Sequence, residues 1–156
     1  MIGAMLERAC DLGARESGLA VAVTTRADGS PQASVVNAGV LKHPVTGDLL
    51  VGFVARGGAR KLASMRARPR VTVVFRSGWD WVTVEGDAEL AGPDDQLEGS
   101  ESADVSRLLR EVYAAAVGGS QEEWTELDDV MAAEGHTAVL IRPTRAYSNP
   151  DQRTGA

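Results

Sequence analysis

The stretch Arg56-Gly57-Gly58-Ala59-Arg60-Lys61 is the part of the sequence best suited to hold a ligand. Paired glycines let a backbone turn sharply and approach a bound group closely. Arg60 and Lys61 follow in the first turn of a predicted helix, where free amides and the helix dipole favour an anion. Arginine can fork two oxygens while lysine adds a mobile point charge, so the combination suits a phosphate or a carboxylate. The spacing is not that of a P-loop, and no G-x-G-x-x-G follows a strand. Around this stretch, residues 49–79 hold no acid and seven bases: Arg56, Arg60, Lys61, Arg66, Arg68, Arg70 and Arg76. The rest of the chain carries 9 bases against 22 acids, net -13, within a total of -6. Such an island points to an anion site; the alternative is a solvated face whose bases pair with acids elsewhere.

Other chemistry is sparse. Trp79 and Trp81 lie two apart after Gly78, where they could cover a flat ring, fill an interface or pack in the core. His43 and His136 form no metal-ligand spacing with Cys10, and both read as surface or hydrogen-bonded histidines. Cys10 reads as a small buried hydrophobe. Glu85, Asp87 and Glu89 fall on one face of an alternating strand and read as solvated. No Ser/His/Asp arrangement or G-x-S-x-G is present.

The elements that must position these residues follow from periodicity and turn chemistry. A helix is expected over about residues 3–16, with Met5, Leu6, Ala9 and Cys10 on its apolar side. Strands are predicted over Leu19–Thr25, Gln32–Leu41 and Leu49–Ala55, joined by short turns into an antiparallel meander. A helix over Ala59–Arg68 is stopped by Pro69. Strands over Val71–Phe75 and Trp81–Leu90 come next, the second interrupted by Gly86 as a bulge or tight bend. After a polar loop at 92–103, a helix is predicted over Asp104–Val117, ended by Gly118-Gly119. Ser120-Gln121-Glu122-Glu123 opens a further helix with Trp124, Leu127, Val130 and Met131 on one stripe. A sixth strand runs over Thr137–Ile141, stops near Pro143, and leaves a polar tail from Asn149.

With 156 residues, 44% hydrophobic and 24% charged, the chain reads as one globular domain spanning 1–156. Crossover helices between successive strands are missing, which excludes a doubly wound sheet. The expected class is mainly β (α+β): a six-stranded antiparallel barrel with peripheral helices, its small core helped by dimerisation. No apolar run is long enough for a transmembrane helix, the N-terminus lacks the pattern of a secretory signal, and one cysteine gives no disulfide framework. A cytoplasmic protein is expected, with no membrane or nucleic-acid partner for so acidic a chain.

The order of features resembles a known family. Asp28-Gly29-Ser30-Pro31 is followed by Ser34-Val35-Val36-Asn37, then Arg56 through Leu62, Arg66-Ala67-Arg68-Pro69-Arg70-Val71, Gly78-Trp79 and Val84-Glu85-Gly86. Over about residues 15–148 this resembles the flavin/deazaflavin oxidoreductase superfamily, the split β-barrel group that includes pyridoxamine-phosphate oxidase-like proteins. Within it the likeness is to the actinobacterial branch of F420-dependent reductases. The resemblance implies a homodimer with cofactor grooves between subunits. It implies that Arg60 and Lys61 hold the cofactor's phosphate or acidic tail. Ser34, Val36 and Asn37 match the strand beside the ring, with Asn37 pointing opposite or acting through its backbone. Val54 and Arg56 match the next strand edge, and Trp79 a position that approaches the ring from the partner. The segment SVVNAG lacks the proline and aromatic that many members place there, and Ala59 stands where some relatives carry a base.

The implied activity is hydride transfer from reduced coenzyme F420 to an unsaturated or conjugated small-molecule substrate, with no catalytic side chain assigned. Seven bases without an acid suit a long polyanionic tail better than FMN. The alternatives are an FMN-binding oxidase or reductase on the same fold, and a non-catalytic carrier or sensor of a deazaflavin, haem or tetrapyrrole.

Overall fold

The computed structural model describes residues 2–99, 105–118 and 134–150. In chain order its elements are α1 (Ile2–Arg15), β1 (Leu19–Thr25), β2 (Pro31–Lys42), β3 (Leu49–Ala55), α2 (Arg60–Ala67), β4 (Arg70–Ser77), β5 (Asp80–Ala91), α3 (Val105–Val117) and β6 (Thr137–Ser148). The six strands close into an antiparallel barrel in the order β1-β2-β3-β6-β5-β4, with β4 returning to β1. The β1-β2-β3 meander is as the turns predict. β6 then inserts between β3 and β5, so the last strand joins the two hairpin units. The capping box and stripe at residues 120–131 lie outside the described residues.

Alternation along the strands sends one side chain in two to the barrel interior. There Val51, Phe53, Val71, Val73, Phe75, Val82, Val84, Val139 and Ile141 form the main core. Leu6, Ala9 and Leu12 of α1 join it, as do Leu62 and Met65 of α2. A second cluster lies on the outer side of β3 and β6, where Leu108, Leu109 and Val112 of α3 cover Leu50, Ala138 and Leu140.

Two expectations are corrected. The buried stripe of α1 is Leu6, Ala9, Leu12 and Gly13, and Cys10 is exposed. Leu12 and Gly13 continue the face of Leu6 and Ala9 at helical spacing, whereas Cys10 falls on the flank. β6 does not stop near Pro143 but runs on to Ser148. The β5–β6 register shifts between Glu85 and Gly86, pairing Glu85 with Arg145 and Gly86 with Pro143. Thr144 is the extra residue of this bulge, and its hydroxyl donates to the Glu85 carbonyl at 3.3 Å. A bulge tolerates a proline that a regular ladder would reject, which is why a breaker residue sits inside the strand.

Candidate functional site

The barrel has a split beside the glycine pair. Residues 31–37 of β2 pair only with β1, and residues 38–42 only with β3. Beyond Phe53, β3 leaves β2 and continues with β6 alone, through Val54 and Ala55. One edge of β2 is therefore open from about Ala33 to Asn37. The Ala38 amide donates to the Gly18 carbonyl on the β1 side. Alternation then directs the backbone groups of Val35 and Asn37 to the open edge. Across the split stand Val54 and Arg56, followed by Gly57 and by Gly58 at φ +81.

These glycines lead to an α2 N-terminus that has no side-chain cap: Ala59 is the N-cap residue and makes no capping hydrogen bond. The Leu62 amide folds back to the Ala59 carbonyl at 3.1 Å, leaving those of Arg60 and Lys61 to face outward. Lys61 is half-buried, and burial alone pushes its ammonium below the usual 10.5, with no carboxylate to offset it. A half-buried lysine without a counter-ion, beside an arginine and two uncommitted amides, is an arrangement chemically suited to an anion.

The rest of the basic island is already engaged. Arg56 pairs with Glu134 at 3.1 Å and Arg70 with Glu85 at 3.7 Å. Arg66 forks onto Asp95 at 2.6 and 2.9 Å. Arg68 donates to the Thr25 carbonyl and Arg76 to that of Gly78. Among the described residues, only Arg60 and Lys61 of the seven have neither hydrogen bond nor ion pair. The composition argument for a long acidic tail therefore shrinks from seven cations to four without an ion pair, of which only Arg60 and Lys61 also lack a hydrogen bond.

The remaining predicted positions separate by face. Ser34 and Val36 share a face, and it is the inner one, with Val36 in the core. Asn37 is on the outer face, where its Nδ2 donates to the Ser17 carbonyl at 3.0 Å. Val54 packs into the cluster beneath α3. Ser34 and Val36 thus turn their main-chain groups towards β1, and of the three only Val54 presents main-chain groups to the split. Trp79 stands in the β4–β5 turn with 88% of its surface exposed, while Trp81 is half-buried with its ring edge-on to Tyr147 at 6.1 Å.

Sequence reading missed the outer face of the barrel. Val35, Val21, Val74, Thr83 and Tyr147 are successive cross-strand partners, so they form one row across β2, β1, β4, β5 and β6. Val35 is 65% exposed, and Leu19, Val21 and Tyr147 are exposed with it. The alternation of β2 carried this signal, since a valine at 35 opposite a core valine at 36 has to point outward. Beside the row, a hydrogen bond to Glu85 holds the Tyr147 phenol above its ordinary range and keeps it protonated. Glu85 and Glu89, expected to be solvated, bind Arg70 and Arg142 respectively. His43 is buried, accepting the Val45 and Thr46 amides at Nδ1, and His136 lies 3.3 Å from Glu134. No group of His, Cys, Asp and Glu among the described residues has metal-binding geometry, and no described helix is long and apolar enough to cross a membrane.

The sequence matches the pyridoxamine 5'-phosphate oxidase family over residues 6–148. No curated protein matches it. Among solved structures, a conserved hypothetical protein of Mycobacterium tuberculosis superposes with a TM-score of 0.66 at 20% identity, covering 96% of this chain and 91% of that one. A pyridoxamine 5'-phosphate oxidase-related, FMN-binding protein of Nostoc punctiforme gives 0.62 at 15% identity, covering 94% and 80%. An F420 reductase gives 0.55 at 18% identity, covering 83% and 88%. At these identities the likeness is one of fold.

Proposed function

The chain belongs to the pyridoxamine 5'-phosphate oxidase family, and from that premise we propose that it is an oxidoreductase holding a flavin-type ring in the split and the cofactor's phosphate on Arg60 and Lys61. The observation that carries this reading is the desolvated, unpaired Lys61 beside the uncapped start of α2. The cofactor we propose is F420, as in the actinobacterial reductases, which when bound supplies a hydride for an unsaturated or conjugated substrate. The chain's own part is binding and orientation. The Lys61 ammonium and the Arg60 guanidinium fix the anionic tail, and the α2 amides add two donors. The open-edge amides of Val35 and Asn37 offer donors to the polar rim of the ring. No side chain is assigned to proton transfer, and solvent can supply that proton.

The reading includes a homodimer formed through the apolar outer row. The row crosses five of the six strands of the closed barrel, so its length of about 19 Å, at ~4.8 Å per strand, follows the curved wall. The split lies at its β2 end and Trp81 and Tyr147 at its β5–β6 end. We place the two-fold axis through the middle of the row, which sets the β5–β6 end of one copy towards the β2 end of the other. Trp79 then reaches the ring site of the partner.

FMN on the same site is the second reading, and one observation favours it. Two cations with neither hydrogen bond nor ion pair and two amides match a single terminal phosphate without needing the rest of the island. A paired fluorescence titration of the purified protein with F420 and FMN separates the two. Tighter F420 binding, with turnover on a panel of conjugated substrates, supports the first reading. Tighter FMN binding moves the protein to the second. Binding of neither overturns both, and leaves a carrier of another ligand as the reading to pursue.

A further inference from the structure

The exposed tryptophan stands on a backbone held from three sides. Ser77 and Asp80 pair across a two-residue loop in which Gly78 takes φ +59 and Trp79 does not have a positive φ, as a type II′ turn requires. That glycine is enough to make the turn, yet the turn is also braced. Asn149, one residue beyond β6, lies along its outgoing limb. Its Nδ2 donates to the Trp79 carbonyl at 2.8 Å and its Oδ1 accepts from the Trp81 amide at 3.0 Å. Arg8 of α1 holds Asn149 in turn. Its Nη2 donates to Asn149 Oδ1 at 3.1 Å, and its Nη1 to the Asn149 carbonyl and to Ser148 Oγ, both at 2.8 Å. The same guanidinium lies 3.4 Å from Asp80. Three segments remote in sequence are thus tied together, while the indole they carry is left bare.

A fixed backbone beneath a bare aromatic side chain is the form of a binding anchor. Large exposed rings dominate interface energies, and holding them in place beforehand removes part of the ordering cost of binding. We propose that Asn149 and Arg8 are positioning residues that hold the Trp79 hairpin at a set height, so that the indole forms a preformed wall of the ring site in a second copy. This inference rests on the dimer and ring-site reading above.

The test uses the full chain with Trp81→Phe and Trp124→Phe, leaving Trp79 as the sole tryptophan. In Asn149→Asp the oxygens that accept from Trp81 and Arg8 remain, and the donor to the Trp79 carbonyl is lost. Arg8→Met removes the second layer and keeps an apolar stem. Time-resolved anisotropy of Trp79 is expected to show faster local motion in both variants. FMN and F420 are expected to bind about three- to tenfold more weakly, the cost of ordering one side chain on binding, with affinity for inorganic phosphate unchanged. Unaltered anisotropy in Asn149→Asp overturns the proposal, because the brace then does not fix the hairpin. So does altered anisotropy with unaltered affinity for both cofactors, provided that Trp79→Ala does weaken one of them. If Trp79→Ala weakens neither, the failure lies in the ring-site reading, and the anisotropy result still reports on the brace.

Discussion

Replacing Lys61 with methionine separates the anion cradle from the fold that carries it. Methionine keeps most of the aliphatic stem, so packing around α2 survives while the charge goes. At about 4 Å and an effective dielectric near 20, a lysine and one anionic charge attract by roughly 4 kcal/mol. Partial exposure of the pair and the neighbouring Arg60 reduce that figure. A hydrogen bond to a charged group contributes about 1.5–3 kcal/mol net. We therefore expect Lys61→Met to cost about 2 kcal/mol of cofactor binding, roughly a thirtyfold rise in Kd. The unliganded protein should behave in the opposite way. Burial without a carboxylate disfavours the Lys61 ammonium in the fold, so its removal should leave Tm unchanged or raise it. Fluorescence titration with F420 and FMN at two ionic strengths, alongside thermal unfolding without ligand, gives both quantities. A Kd within threefold of wild type for both cofactors refutes the cradle, and a large fall in Tm shows that Lys61 supports the fold instead.

The pH dependence follows from the same group. The unfolded chain holds the Lys61 proton up to about 10.5 while the folded chain releases it earlier, so its burden on stability lifts as pH rises through the lowered value. Phosphate affinity falls as pH rises from the lowered value towards 10.5, and a binding profile that stays flat through that interval contradicts the assignment. Arg66→Ala should leave cofactor affinity unchanged and cost about 0.5–1 kcal/mol of stability, because a partly exposed ion pair with Asp95 already occupies this guanidinium; a tenfold loss of cofactor affinity in titration would return Arg66 to the site. Val35→Glu sets a carboxylate at the exposed β2 end of the outer row, and light scattering should show a dimer in wild type and a monomer in the variant. Equal masses for the two would remove that row as the dimer face.

Local patterning made much of the fold legible. β1 and β3 match their predicted limits because each is a short run of apolar and β-branched residues bounded by turn residues. Pro143 misled because a bulge is a property of two strands, and the partner glycine at 86 lies far away in sequence. The glycine pair with Arg60 and Lys61 was readable from residue types alone. The engagement of their basic neighbours was not, since Asp95, Glu85 and Glu134 are brought in by tertiary contacts. Nor was the split, which arises because one half of β2 pairs with β1 and the other half with β3. Asn149 looked like the start of a polar tail, and only the fold brings it beside Trp79 and Arg8.

The most direct test compares intact cofactor with its dephosphorylated fragment in wild type and in Lys61→Met. For FMN the fragment is riboflavin, and for F420 it is the deazaflavin with its ribityl chain alone. The account predicts that wild type prefers the phosphorylated form by at least about tenfold, the scale of a charge-assisted hydrogen bond, and that most of this preference vanishes in Lys61→Met. Equal affinity for the two forms in wild type, or a preference that survives the substitution intact, would contradict it.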